Sequence, residues 1–168
     1  KRRRALRRRT AAGDAVKTVN IHASCVRLGR AGVLLLGPSG SGKSDLALRL
    51  IAQGARLVSD DRSELFLRGG KLHARPPRAL AGRLEIRGLG ISAHPHTAQA
   101  MIALAVRLGA EPPRLPRPRR YTGAAALGRH APVPLLSLDG FQASAPAKIA
   151  AALKAFAGDL FRDTANAK

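Results

Sequence analysis

Val33-Leu34-Leu35-Leu36-Gly37-Pro38-Ser39-Gly40-Ser41-Gly42-Lys43-Ser44 is the stretch on which the reading of this chain turns. Four apolar residues in a row, bounded by Gly32 and Gly37, read as a short strand buried on both faces. From Lys43 to Gln53 the pattern changes. Leu46, Ala47, Leu50 and Ile51 recur at helical spacing, and Gly54 supplies a stop. Between strand and helix the spacing G-x-x-x-x-G-K-S is met completely. Its glycines allow torsions that turn successive N–H groups inward, and the new helix adds the positive end of its dipole. The expected product is a phosphate cradle made of Gly37, Pro38, Ser39, Gly40, Ser41, Gly42, Lys43 and Ser44. Lys43 reaches the β- and γ-phosphates of ATP, and the Ser44 hydroxyl ligates Mg²⁺. The competing reading, a Gly-rich turn without ligand, is weakened by both flanks being right.

Working outward, such a loop needs a carboxylate to manage metal or nucleophile. Arg56-Leu57-Val58-Ser59 reads as a strand ending at Asp60-Asp61. Asp60 lies 17 residues after Lys43, room for one helix and one turn. That spacing predicts a strand beside the P-loop strand, with both tips at one edge. Adjacent carboxylates repel one another, which suits one of them to accepting a proton. Asp139, after Pro134-Leu135-Leu136-Ser137-Leu138, is a second candidate, although Gly140 makes an ordinary turn as good a reading.

The remaining segments complete a mixed sheet with flanking helices. Val19–Leu28 reads as a strand. Ser63–Ala74 reads as a hairpin around Gly69-Gly70, with Leu65 and Leu67 facing Leu72 and Ala74. Leu84–Ile91 is a strand-like piece, and Met101–Leu108 is strand or helix. Residues 112–119 are too proline-rich for a helix interior. Val133–Leu138 reads as a strand, and Ala145–Phe156 as a helix with Ser144 a candidate cap. Residues 1–17 read as a disordered basic arm, 18–158 as one catalytic domain and 159–168 as a frayed tail.

Composition narrows the function classes. The 168 residues carry a formal charge of +20, and seven of the 30 basic residues stand in the first ten positions. That leaves 23 basic against 10 acidic residues, so the body is basic as well. Polyanions or an acidic partner are the expected consequence. Specific nucleic-acid readout is not expected, because its motifs are missing and only 3% of residues are aromatic. No apolar run approaches the ~20 residues of a membrane span, and residues 1–14 hold no apolar segment of the kind a cleavable leader needs. The lone Cys25, in an apolar stretch, reads as a buried structural thiol compatible with a reducing cytoplasm. His94 and His96 lack Cys or carboxylate partners and read as loop histidines.

Taken in order, the P-loop, Asp60-Asp61-Arg62 and Leu84-Glu85-Ile86-Arg87-Gly88-Leu89-Gly90-Ile91 resemble the catalytic domain of HPr kinase/phosphorylase. The octamer L-E-I-R-G-L-G-I is that family's signature. The likeness covers residues 19 to about 106 well and the remainder less well, and it looks like the short form without the family's separate N-terminal domain.

The resemblance implies a P-loop kinase domain related to phosphoenolpyruvate carboxykinase. It further implies ATP-dependent phosphorylation of a serine on HPr, or on its nitrogen-pathway relative, within phosphotransferase regulation. Some members reverse the step by phosphorolysis. Members are commonly hexameric and cytoplasmic. The resemblance also implies residue roles: Ser44 and Glu85 for Mg²⁺, Lys43 and the loop for nucleotide, Asp61 as proton acceptor with Asp60 beside it, and His22 as a catalytic-site histidine. Alternation along a strand would set Arg87 on the face of Glu85, where its partner is either the neighbourhood of Glu85 or phosphate. The family's later catalytic arginine corresponds to Arg119 or Arg120. Its Pro- and Arg-rich loop is replaced by residues 141–148, which leaves phosphorolysis open, with Lys148 as a substitute anion contact. A P-loop kinase for a small-molecule acceptor, and a nucleotide-binding module docking on nucleic acid, are the competing functions.

Overall fold

The computed structural model of the chain describes residues 16–109 and 112–157. Nine strands and two helices follow in chain order among them: β1 (Thr18–Leu28), β2 (Ala31–Leu36), α1 (Lys43–Ala52), β3 (Arg56–Ser59), β4 (Arg62–Arg68), β5 (Lys71–Arg75), β6 (Arg83–Ile86), β7 (Gly90–Ala93), β8 (Ala100–Leu108), β9 (Leu135–Leu138) and α2 (Ala145–Ala157). The expected basic arm lies outside the described residues over positions 1–15, as does the expected tail.

Two long strands organise the architecture. β1 pairs with β4 through residues 18–22, then with β2 and β3 through its second half. β8 pairs with β5 at Ala100 and Met101, then with β2 and β9. β1 and β8 therefore run from one layer, β1-β4-β5-β8, into another, β3-β1-β2-β8-β9. Apolar side chains fill both sides of the second layer. Cys25, Leu34, Val58, Leu65 and Ala105 pack between the layers. Val33, Leu35, Leu46, Leu57 and Ile149 pack on the opposite face, against α1 and α2. Alternation explains why β2 reads as wholly apolar: Val33 and Leu35 meet the helices, while Leu34 meets the other layer.

β2 runs parallel to β8, and β8 parallel to β9. β3 is antiparallel to β1, which is antiparallel to β2, so β3 shares the direction of β2. The carboxyl ends of β2, β3, β8 and β9 thus meet at one edge. This is the edge where α/β sheets hold their ligands, because loops leaving it are free of the sheet's own hydrogen bonding.

Several expectations hold. α1 stops at Gly54, whose N–H donates to the Ile51 carbonyl at 2.9 Å. Gly69 and Gly70, at φ 57° and 71°, form the two-residue turn between β4 and β5, where both positions need positive φ. Residues 101–108 are strand. Three readings are corrected. β3 does not neighbour β2, because β1 lies between them. Leu84–Ile91 is not one strand: it folds into the hairpin β6–β7, with the Leu89 N–H closing on the Ile86 carbonyl at 3.0 Å. Arg87 therefore sits in the turn, and strand alternation does not relate it to Glu85. Among the described residues, no helix is long and apolar enough to cross a membrane.

Candidate active site

Gly42 starts α1 in a left-handed conformation, φ 87°, which puts the following N–H groups at the mouth of the loop. A side chain there would be strained twice over, since a Cβ would also come within 3.2 Å of the Phe141 ring. Lys43 is only 6% exposed. Its ammonium donates to the carbonyls of Gly37 at 2.9 Å and Pro38 at 3.0 Å, which spans the loop and leaves a third proton for an anion. The Ser41 hydroxyl is shielded and bonds to nothing among the described residues. A buried hydroxyl without a partner is costly, and an oxyanion in the loop would satisfy it.

Asp60 and Asp61 follow β3 but are put to different uses. Asp60 is 8% exposed. Its Oδ1 accepts from Ser24 Oγ at 2.8 Å and Ser44 Oγ at 3.0 Å, and its Oδ2 accepts from the backbone N–H of Glu85 at 3.2 Å. One carboxylate thereby ties β1, α1 and β6 together. Asp61 turns outward through φ 59°, the one positive φ at a non-glycine among the described residues. Asp tolerates that region better than most residues, because its short polar side chain can bond locally. Its Oδ1 lies 2.6 Å from His22 Nε2, and both side chains stay open, at 70% and 49% exposure.

These groups line a single cleft of about 370 Å³ that also touches Glu85, Arg87 and Phe141. Glu85 and Arg87 are exposed on the β6–β7 hairpin. Arg87 makes no ion pair among the described residues and faces the cleft unpartnered. Of the eight residues proposed from the P-loop spacing, Gly37 to Gly42 stand between β2 and α1, and Lys43 and Ser44 open α1. His22, Lys43, Ser44, Asp60, Asp61, Glu85 and Arg87 come together around the cleft.

Other candidates do not join them. Asp139 accepts the Phe141 N–H at 3.0 Å and is spent on a turn. Lys148 donates to Gln142 Oε1 at 2.6 Å on the surface of α2. Arg119 and Arg120 are exposed beside Pro134, away from the cleft. His94 bonds Ser92, and His96 packs at Gly82. Cys25 is fully buried, and burial pushes its thiol pKa up, out of the reactive range.

Sequence reasoning missed three contributors. Ser24 follows His22 by two in β1, so strand alternation could have flagged it. Arg49 bonds Asp45 at 3.0 Å, the Gln142 carbonyl at 3.1 Å and the Gly140 carbonyl, fixing the loop after β9 to α1. Phe141 carried no local signal.

This is a mixed α/β domain whose Gly-rich strand–loop–helix unit opens onto a cleft holding a lysine, two aspartates and a histidine. The family described as HPr Serine kinase C-terminal domain matches residues 14–96, and over that segment, which holds the P-loop, Asp60-Asp61 and Glu85, the chain belongs to it. A solved structure described as the Hpr(Ser) kinase/phosphatase from Coxiella burnetii is similar with a TM-score of 0.68 and 24% identity, covering 84% of this chain and 92% of that one. Such a likeness bears on the fold, including the parts beyond residue 96.

Proposed function

We propose that this protein is an ATP-dependent kinase that phosphorylates a serine of HPr or of its nitrogen-pathway relative. The observation that carries the reading is the convergence, at one strand edge, of the Lys43–Ser44 loop with the outward-facing His22–Asp61 pair. In this reading the loop N–H groups and Lys43 hold the β- and γ-phosphates of ATP. Asp61 accepts the proton of the incoming serine hydroxyl as its oxygen attacks the γ-phosphorus and the bond to the β-phosphate oxygen breaks, leaving ADP. His22 holds one Asp61 oxygen, so the other is presented to the serine. Arg87 sits where it can meet charge on the transferred group.

The donor set fits Mg²⁺. Among the described residues no three His, Cys, Asp or Glu side chains cluster into a closed metal site. Mg²⁺ does not ask for one, since it takes one or two protein oxygens and completes its shell with phosphate oxygens and water. The Ser44 hydroxyl, the adjacent Asp60 carboxylate and Glu85 at the cleft wall are the groups that would hold it. Bound there, it would neutralise charge on the phosphates.

A protein acceptor is favoured over a small molecule by the cleft's rim. Leu89 and Ile91 project from the β6–β7 hairpin at 74% and 68% exposure, next to Arg87. Apolar groups left in water at the mouth of a site suit a folded partner's surface. The P-loop kinase class related to phosphoenolpyruvate carboxykinase, a homo-oligomeric assembly (hexameric by the family resemblance) and a cytoplasmic location belong to the same proposal.

The test is incubation with γ-labelled ATP, Mg²⁺ and purified HPr, mapping the phosphate by mass spectrometry. Phosphoserine that disappears with Lys43→Ala and Asp61→Asn is the expected result. Undiminished phospho-HPr from both variants would defeat the proposal. Adding inorganic phosphate to the same reaction tests reversal with release of pyrophosphate.

A further inference from the structure

Of the four Phe and Tyr rings among the described residues, two are buried and a third is half-buried. Phe66 is 3% exposed and Tyr121 7%, and Phe156 packs on the helix-side core. Phe141 is different, with 64% of its surface open and its ring lining the cleft. The exposure is built in. The Phe141 N–H is held by Asp139 Oδ1 at 3.0 Å, and Arg49 grips the carbonyls on either side of Phe141, those of Gly140 and Gln142. Arg49 is itself steadied by Asp45, one helical turn earlier. Three hydrogen bonds thus fix residues 140–142, a stretch whose apolar side chain folding leaves in water.

The ring's position is specific. β9 ends two residues before Gly140, at the edge where β2 ends in the phosphate loop. The ring edge lies 3.2 Å from where a Gly42 side chain would be, directly against the start of α1. An extended nucleotide with its phosphates in the loop must lay its remaining parts along the surface beside that loop. A rigid, exposed aromatic face there offers stacking to any planar base.

We propose that Phe141 is the stacking platform for the purine base of the nucleotide. The inference rests on the P-loop holding the phosphates and adds the residue that holds the other end of the molecule. Stacking on one aromatic side chain contributes to affinity irrespective of the base's hydrogen-bonding edge, so ATP and GTP should both benefit.

The test compares ATP with inorganic tripolyphosphate, which has the phosphates and no base, by calorimetric titration with Mg²⁺. The parent, Phe141→Ala, Phe141→Leu and Phe141→Tyr are measured, each checked for an unchanged thermal transition. Ala and Leu should weaken ATP roughly tenfold or more and leave tripolyphosphate within about twofold, while Tyr should match the parent. Leu preserves packing against Gly42 without a π face, so it separates stacking from loop support. Unchanged ATP affinity in Ala and Leu would overturn the proposal, as would a parallel loss of both ligands. Loss of HPr phosphorylation with intact ATP affinity would also overturn it, by giving the ring to the acceptor. A parent that binds neither ligand would remove the phosphate-loop reading itself.

Discussion

The Ser44 hydroxyl donates to Asp60 Oδ1 across 3.0 Å, joining the first turn of α1 to the residue that follows β3. The same oxygen takes a second hydroxyl from Ser24. A hydroxyl and a carboxylate in contact beside a phosphate loop make a ready pair of oxygen donors for a hard cation.

Asp60→Asn should therefore raise the Mg²⁺ concentration needed to support ATP binding by about 10–100-fold, with smaller change in binding without metal. Titrating Mg²⁺ at fixed ATP measures it. Superimposable curves for variant and parent would show that Asp60 only braces the fold.

Asp61→Asn keeps size and tolerance of positive φ while removing the charge. Transfer to HPr should fall about 10²–10⁴-fold with ATP affinity retained, as expected for loss of a general base. His22→Ala should lower transfer less, because it removes the group that orients Asp61. An Asn variant with parental turnover would exclude Asp61 as the proton acceptor.

Ser24→Ala leaves Asp60, nearly buried, with one donor fewer. Stability to urea should drop by about 1–3 kcal/mol. Equal midpoints for variant and parent would mean that the vacancy is filled by water.

His73 supplies a pH dependence. Burial first, then Arg68 and Lys71, hold its pKa below the ordinary 6.5. Its Nδ1 is buried without a partner among the described residues, and its ring stacks on Phe66 at 5.5 Å. The unfolded chain therefore binds the proton more readily than the folded one. The contribution is complete above about pH 6.5 and is lost as pH falls through the depressed folded value. Urea midpoints between pH 5 and 7.5 should decline toward acid more steeply for the parent than for His73→Gln. Identical slopes would rule His73 out as the source.

Cys25 should be inert to thiol reagents in the native protein and react on unfolding, since it has no exposed surface. Rapid labelling of folded protein would contradict its placement between the layers.

Residues near one another in sequence were readable because their constraints are local. Torsion at the loop glycines, apolar spacing in α1, the Gly69-Gly70 turn and alternation in β4 and β5 each depend on a few consecutive residues, and they yielded the phosphate loop, most elements and the β3–Asp60 junction. The hairpin at Arg87 was missed because Gly88 and Gly90 serve a turn as well as a strand, and only pairing with β7 decides between them. β3 was set on the wrong side of β1 because spacing fixes how far a strand returns, not which edge it joins. Tertiary structure alone decided that Asp60 points to Ser44 while Asp61 turns to His22. It also decided that Asp139 is consumed by a turn and that Phe141, more than 90 residues from the loop in sequence, stands against Gly42. Those outcomes depend on which strands share a direction and an edge, a property of the closed set of pairings and not of any one segment.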